Sequence, residues 1–186
     1  MKRLLSLLLI VCVLSGCASE SDEIDRVVAL RTDLQNKDGY SFNTNVTVDY
    51  GDTFTTFDLS CQCDNQQNMD ITVVKPDTIS GITCRISGGK GKLTFDETAV
   101  AFEMLADNQI TPVSAPWLTI KALRSGYISA TSAEDDGILV RLDDSLSGTT
   151  YSVDIWLEEN NLPKYAEIIW QGKRIVSMSI SEFKFL

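Results

Sequence analysis

The chain has 186 residues, of which 26 are acidic, 16 are basic and none is histidine, so its formal charge at pH 7 is −10. A domain this acidic repels phosphate backbones and anionic headgroups, which argues against nucleic-acid binding and against membrane attachment through a basic patch. The absence of histidine removes the usual general base and the commonest metal ligand, and it excludes hydrolase dyads and triads built on histidine. We therefore expect no metal site, no cofactor and no catalysis that depends on histidine.

The N-terminal segment has the order of a secretory signal peptide: a basic start, an apolar run over 4–14 and small residues before Cys17. The residues Leu14-Ser15-Gly16-Cys17 resemble a bacterial lipobox, which implies that Cys17 is acylated, as with palmitate, and that residues 1–16 are cleaved off. An uncleaved membrane helix is the alternative. It is disfavoured because the apolar run of about 11 residues is well short of the ~20 that span a bilayer.

This N-terminus also predicts the domain organisation. Residues 1–16 form a lipoprotein signal peptide, residues 17–21 a lipidated tether, and residues 22–186 a single domain large enough to bury a core. Cleavage removes Lys2 and Arg3 and no acid, so the net charge moves from −10 to −12. We expect the mature protein on the extracytoplasmic face of the cell membrane, periplasmic or at the cell surface, held by the lipid on Cys17.

The first half of the domain changes from a helical to a two-residue hydrophobic period. Apolar residues at helical spacing predict a helix over about 21–37, which Gly39 ends. Alternation then predicts strands. Lys75-Pro76-Asp77 breaks the ladder because proline cannot donate to it, and Gly88-Gly89-Lys90-Gly91 is a turn. The strands are expected at 42–50, 54–63, from 69, at 79–86, and in a hairpin over 93–95 and 99–105.

The second half begins with another helix. Ser114-Ala115-Pro116 starts it and Gly126 ends it. Five more strands follow, at 127–131, 138–142, 149–157, 165–171 and 174–185. Short connections favour antiparallel pairing. The order predicts an α+β fold: a large curved antiparallel sheet of about eleven strands, an open and incomplete β-barrel, with helices covering its concave face.

Three cysteines remain in the domain: Cys61, Cys63 and Cys84. Cys61 and Cys63 would point to one face of their strand, beside Phe57 and Leu59. Burial as small apolar side chains is the favoured interpretation. A disulfide from Cys84 to Cys61 or to Cys63 is the alternative.

Several short motifs resemble the LolA/LolB-like lipoprotein-carrier family. They are VVKPDTISG at 73–81, LTFD at 93–96, PWL at 116–118, LPKYAEI at 162–168 and ISEF at 180–183. The resemblance implies an unclosed barrel with an apolar hollow that takes the acyl chains of lipids or lipoproteins, and no enzyme. The chain also resembles the LolA-like germination lipoproteins of clostridial spores. That resemblance implies an alternative function, in which the protein binds or supports a cell-wall hydrolase.

Two pairs of residues are candidates for lining such a hollow. Phe57 and Leu59 lie on the inner face of a predicted strand, and Trp117 and Leu118 lie on the mid-chain helix. Ordinary packing of that helix against the sheet explains Trp117 equally well. Trp156 should point away from the core, beside Asp154 and Glu158. It indicates a contact surface or a sheet covered on both faces.

Four pairs of adjacent acids are the candidates for the catalytic pair of an acid-based hydrolase, the third hypothesis. All four are expected in turns, where neighbouring carboxylates point apart and are solvated. A glycosidase pair must instead face across its substrate at ~5–10 Å. The pairs are Asp96-Glu97, Asp135-Asp136, Asp143-Asp144 and Glu158-Glu159.

Overall fold

The structure is a computed structural model that describes residues 19–49, 51, 54–102, 104–106 and 109–186. The predicted signal peptide and Cys17 lie outside these ranges, as does Tyr50 at the end of the first predicted strand. The described residues form two α-helices, α1 (Ser19–Asn36) and α2 (Ala115–Ser125). None of the described helices is long and apolar enough to cross a bilayer.

The strands alternate with short turns along most of the chain. Before α2 they are β1 (Gly39–Asp49), β2 (Phe54–Asp64), β3 (Met69–Lys75), β4 (Thr83–Ser87), β5 (Lys90–Phe95), β6 (Thr98–Phe102), β7 (Leu105–Ala106) and β8 (Gln109–Ile110). After α2 they are β9 (Tyr127–Glu134), β10 (Gly137–Leu146), β11 (Thr149–Glu158), β12 (Pro163–Trp170) and β13 (Lys173–Phe185).

Eleven of these strands form one antiparallel sheet in the order β6-β5-β4-β3-β2-β1-β13-β12-β11-β10-β9. Strands β7 and β8 pair separately. The sheet does not close, because β6 and β9 lie at its two edges. The predicted α+β class, the open curved antiparallel sheet and the strand number are therefore confirmed.

Side chains alternate across the sheet, and one face forms the core. On β1, Phe42, Val46 and Val48 are buried, while Asn45 between them is exposed. Phe183 of β13 stacks on Phe42 with ring centroids 5.6 Å apart. The apolar alternation in the sequence thus specifies which face becomes concave and covered.

Helix α2 fills this concave face. Pro116 stands in its first turn, where its missing N–H is not needed, and Gly126 closes the helix by donating to the carbonyl of Ala122. Its residues are buried on almost every side, because the sheet lies below it and α1 packs beside it. Leu118 and Leu123 are fully buried.

The structure differs from the predicted elements at several positions. Ile79, predicted in a strand, ends a 3₁₀ turn (Asp77–Ile79), and β4 begins only at Thr83. Lys90 and Gly91, predicted in a turn, begin β5, and helix α1 already includes residues 19–21 of the predicted tether. The pair Asp143-Asp144, predicted in a turn, lies within β10.

The three cysteines are buried and free. Cys61 lies opposite Ile71, which in turn lies opposite Cys84, so one whole strand separates the two thiols. Two strand spacings of ~4.8 Å exceed the ~7 Å limit between the Cα atoms of a disulfide. The disulfide alternative is therefore wrong, and the cysteines pack as small apolar side chains.

Candidate functional site

A narrow crevice lies between α2 and the adjoining ends of β1 and β2. It is lined by Tyr40, Cys63, Gln67, Trp117, Lys121 and Arg124. The space between these side chains is too narrow for a water molecule. Gln67 is exposed, so the crevice reaches the surface at the β2–β3 turn.

Trp117 closes this crevice at its outer end. Only 6% of its surface is exposed, and its indole N–H donates to the carbonyl of Gln67 at 3.1 Å. The ring also lies against the β4–β5 turn, because a Cβ built on Gly89 would stand 3.7 Å from Trp117 Cη2. Trp117 is thus packed and hydrogen-bonded, in a position where it covers a space below it.

The other three predicted binding residues do not line the crevice. Leu118 is fully buried, and its carbonyl accepts from the hydroxyl of Tyr151 at 3.4 Å. Leu59 is buried and Phe57 half-buried on β2. At ~3.3 Å per residue, Phe57 is roughly 20 Å from Cys63 along the strand. The structure therefore does not bring the four residues together around one open hollow.

Arg124 is the unusual group in the crevice. It is 7% exposed, and its Nη1 donates to the carbonyl of Leu34 at the end of α1. Within the described ranges, its Nε has no hydrogen-bond partner. No carboxylate among the described residues forms an ion pair with it. The carbonyl ends of α1 favour a cation here, but they satisfy only part of the guanidinium.

Tyr40 lies beside Arg124 and also has an unsatisfied polar atom. Its hydroxyl faces the Cys63 thiol and the guanidinium without forming a hydrogen bond of normal geometry. Burial is the main cause that raises the pKa of Tyr40, and burial also raises the pKa of Cys63 to about 11. Both groups are therefore neutral at pH 7, and only the two basic side chains of the lining carry charge.

Lys121 is the second cation of the crevice. Its Nζ lies 2.6 and 2.5 Å from the two carboxylate oxygens of Asp144. The Tyr151 hydroxyl donates to Asp144 at 3.1 Å, and burial followed by the nearby Asp144 charge raises the pKa of Tyr151. Asp144 is thus a fixed partner of α2, which explains why this acid lies in a strand.

The convex face of the sheet carries a second ordered group around Trp156. Its ring lies 5.2 Å from that of Tyr165, whose hydroxyl donates to Glu167 at 3.0 Å. Asp154 is buried and accepts two hydrogen bonds from Arg141, at 2.7 and 2.6 Å. Trp156 points away from the core as predicted, but the acid beside it is neutralised and the ring is half-buried.

The acid pairs do not form a hydrolytic site in the described structure. Asp143 accepts from Ser152 on the convex face, whereas Asp144 contacts Lys121 on the concave face. Asp96-Glu97 and Asp135-Asp136 lie in turns as predicted, while Glu158 ends β11 and Glu159 follows it. Among the residues that the structure describes, no three side chains of the metal-binding types come together.

Sequence reasoning missed Arg124, Lys121 and Tyr40. The sequence does contain a signal for Arg124 and Lys121, because these two cations are three residues apart on a helix that is otherwise mostly apolar. Such positions share one helix face and must either reach solvent or find buried partners. Tyr40 gave no such signal, because an aromatic residue at the start of a strand is ordinary core material.

Comparison with known proteins gives the fold. No protein-family model and no curated protein matches the sequence. A LolA superfamily protein from Nitrosomonas europaea is 11% identical, with a TM-score of 0.51, and the match covers 88% of this chain and 93% of that chain. An uncharacterized conserved protein from Thermus thermophilus is 12% identical, with a TM-score of 0.50, and the match covers 91% of this chain and 88% of that chain.

At sequence identities this low, the structural similarity shows a shared fold and says nothing about a shared ligand. In this chain the fold consists of an antiparallel sheet that stays open and a helix that covers its concave face. The resemblance inferred from the short sequence motifs is confirmed at this level. The fold of this chain is LolA-like.

Proposed function

We propose that this chain is an extracytoplasmic lipoprotein, anchored by the lipid on Cys17, that binds the acyl chain of a lipid or lipoprotein without enzymatic activity. The observation that carries the proposal is the apolar concave face covered by the short helix α2, with α1 packed beside it, in a LolA-like fold. The inward side chains of the eleven-stranded sheet face α2. In a β-sandwich they would instead face the side chains of a second sheet.

Binding would require α2 to move, because the concave face is filled in the described state. An acyl chain would replace the contacts that Leu118, Ile120 and Leu123 make with the sheet. Each methylene transferred from water contributes ~0.8 kcal/mol. A chain of about ten methylenes therefore contributes ~8 kcal/mol towards the cost of separating the helix from the sheet.

The test is a titration of the mature protein with fatty acids of increasing length. The Cys17→Ser variant is used so that its own lipid does not compete. Trp117 is the reporter, in a background with Trp156→Phe and Trp170→Phe. We expect affinity to rise stepwise with chain length and then to level off, and the fluorescence of Trp117 to change at saturation. Equal affinity for all lengths would contradict the proposal.

A matched pair of variants locates the binding. Trp117→Ala removes the side chain that closes the crevice and should weaken binding of the longest chain. Trp156→Ala removes an aromatic ring of the convex face and should leave that affinity unchanged. Equal effects of the two substitutions would place the ligand elsewhere.

A second function, binding or support of a cell-wall hydrolase, is favoured by two observations. The concave face is filled, and apolar side chains remain outside it, at Val100 on the edge strand β6 and at Trp156. Trp, Tyr and Arg are the residues that most often dominate protein interfaces, and all three occur around Trp156. A Trp156→Ala, Tyr165→Ala variant should then lose binding to a purified cell-wall amidase in calorimetry, whereas Trp117→Ala should retain it.

A further inference from the structure

The crevice beside Trp117 has a charge opposite to that of the rest of the chain. Acidic residues outnumber basic ones by 26 to 16 in the sequence, yet the crevice is lined by Lys121 and Arg124 and by no carboxylate of the described residues. Asp144 holds Lys121 from outside the lining. An anion that entered here would meet the guanidinium of Arg124, which has no carboxylate partner among the described residues, whereas the charge of Lys121 is already balanced by Asp144.

Two buried polar atoms in the crevice form no hydrogen bond of normal geometry within the described residues, although they lie beside each other and beside the Cys63 thiol. They are Arg124 Nε and the Tyr40 hydroxyl. Leaving a buried donor unpaired costs ~1–3 kcal/mol, so native structures seldom do it without a functional reason. The space between the side chains is too narrow for water to pair them. Both groups can therefore accommodate an acceptor that arrives together with a local opening.

The unused part of Arg124 is the part that best binds a carboxylate or phosphate. Its Nη1 is taken by Leu34, which leaves the edge formed by Nε and Nη2. Arg141 of the same protein uses this edge to hold Asp154, through Nε at 2.7 Å and Nη2 at 2.6 Å. Such paired, charge-assisted bonds fix both the position and the orientation of an oxyanion.

The route to this edge passes Trp117. The crevice opens at the exposed Gln67, and the hydrogen bond from Trp117 to the Gln67 carbonyl closes it. Beyond Trp117, the same helix presents Leu118 and Leu123 towards the sheet. A ligand with a charged head and an apolar tail could therefore place its head on Arg124 and its tail under α2.

We propose that Arg124, Tyr40 and Lys121 form a binding site for an oxyanion headgroup, a carboxylate or a phosphate monoester, carried by a single-chain lipid. The proposal rests on the proposed acyl-chain binding and adds the chemistry of the head. Arg124 binds the oxyanion through two N–H groups, the Tyr40 hydroxyl donates a third hydrogen bond, and Lys121, held by Asp144, lines the site beside them. Trp117 moves from Gln67 to admit the ligand.

The test compares ligands that share a tail or a head. Calorimetry on the mature Cys17→Ser chain at pH 7.4 uses dodecanoate, dodecyl phosphate and dodecanol, with acetate and inorganic phosphate as heads without tails. We expect dodecanoate and dodecyl phosphate to bind at least about 10-fold more tightly than dodecanol. Acetate and inorganic phosphate should bind at least about 100-fold more weakly than their dodecyl counterparts.

Three variants test the residues. Arg124→Gln should reduce the affinity for dodecanoate to that for dodecanol. Tyr40→Phe keeps the ring and removes only the hydroxyl, so it tests the site even if Arg124→Gln unfolds the protein, and it should reduce the affinity for dodecanoate about threefold or more. Arg174→Gln, which removes an exposed arginine paired with Glu167 on the convex face, should leave the affinity unchanged.

The outcomes separate this inference from the proposed function. Equal binding of the three dodecyl ligands, unaltered by Tyr40→Phe, would overturn the headgroup site and leave acyl-chain binding in place. Binding of inorganic phosphate as tight as that of dodecyl phosphate would support the oxyanion site and contradict acyl-chain binding. Absence of binding by every ligand would overturn both.

Discussion

Arg31 and Arg124 each bind the end of the helix that carries the other. Arg31 of α1 donates through Nε to the carbonyl of Leu123 at 2.7 Å and through Nη2 to that of Gly126 at 2.5 Å. Arg124 of α2 donates to the carbonyl of Leu34 near the end of α1. The last carbonyls of a helix lack partners and carry a partial negative charge, so each cation stabilises the opposite terminus.

Removal of Arg31 should loosen α2 from α1. Arg31→Ala deletes two hydrogen bonds from a charged donor. Each bond of this kind contributes up to ~3 kcal/mol to the free energy of unfolding. We expect the free energy of unfolding to fall by about 2 kcal/mol, measured by urea denaturation. Arg85→Ala is the control, because Arg85 pairs with Asp70 where both are exposed and such pairs contribute ~0–1 kcal/mol. Equal losses in the two variants would contradict the role of Arg31.

The buried cysteines should contribute to stability and not to chemistry. Replacing Cys61, Cys63 or Cys84 with Ala leaves a small cavity, and we expect a loss of ~1–3 kcal/mol per site. Reduction with dithiothreitol should have no effect, because all three are free. A triple variant that kept its full stability but lost acyl-chain binding would contradict this prediction.

Stability should fall above about pH 9. Burial raises the pKa of Cys63 to about 11 and that of Cys84 to about 12, from an ordinary value of 9.0. Between pH 9 and these raised pKa values, the two thiols have lost their protons in the unfolded chain but keep them in the folded chain. Unfolding therefore becomes more favourable as the pH rises. The contribution is fully present below pH 9 and falls by up to ~1.4 kcal/mol per pH unit and per cysteine.

Urea denaturation at pH 8, 9.5 and 10.5 measures this slope. The Cys63→Ala, Cys84→Ala variant is the comparison, and its stability should depend less steeply on pH over the same range. Tyr151, whose pKa burial also raises, remains in both proteins and so does not affect the difference, whereas Tyr40 faces the Cys63 thiol and belongs to the effect that is measured. Equal slopes in the two proteins would show that the thiols are accessible in the folded state.

Acylation should depend on Cys17 alone. Cys17→Ala removes the predicted acceptor and should abolish incorporation of radiolabelled palmitate in growing cells. Cys12→Ala is the control, because Cys12 lies within the predicted signal peptide and should not alter labelling. Undiminished labelling of Cys17→Ala would contradict the lipobox assignment.

The local pattern of the sequence was sufficient to predict most of the fold. Alternation over 54–63 matches β2 to within one residue, and the signals at Pro116 and Gly126 delimit α2. These elements are determined by hydrophobic period and by residues that begin or end a helix, both of which are local. The antiparallel pairing of the sheet then follows from the many short connections between successive strands.

The errors fall where distant residues decide the structure. Asp144 lies in a strand because Lys121, on the helix above it, neutralises its charge, and no local pattern records that partner. The same limit applies to the crevice, since Tyr40 and Arg124 are neighbours only after the sheet has curved around α2. The candidate site was therefore predictable at Trp117 and not at the residues beneath it.

The two ends of the domain pair at the middle of the sheet. Strand β1 lies beside β13, and Thr44 donates to the carbonyl of Ser179, 135 positions later in the chain. The halves β1–β6 and β9–β13 are each built from local hairpins, but only this last pairing joins them within the described sheet. Contacts so distant in sequence form slowly. Strand β13 is therefore required to join the two halves of the sheet. We expect a chain that lacks β13, through truncation or unfinished synthesis, to have two separate half-sheets with exposed edges. Exposed edges of this kind promote aggregation and proteolysis.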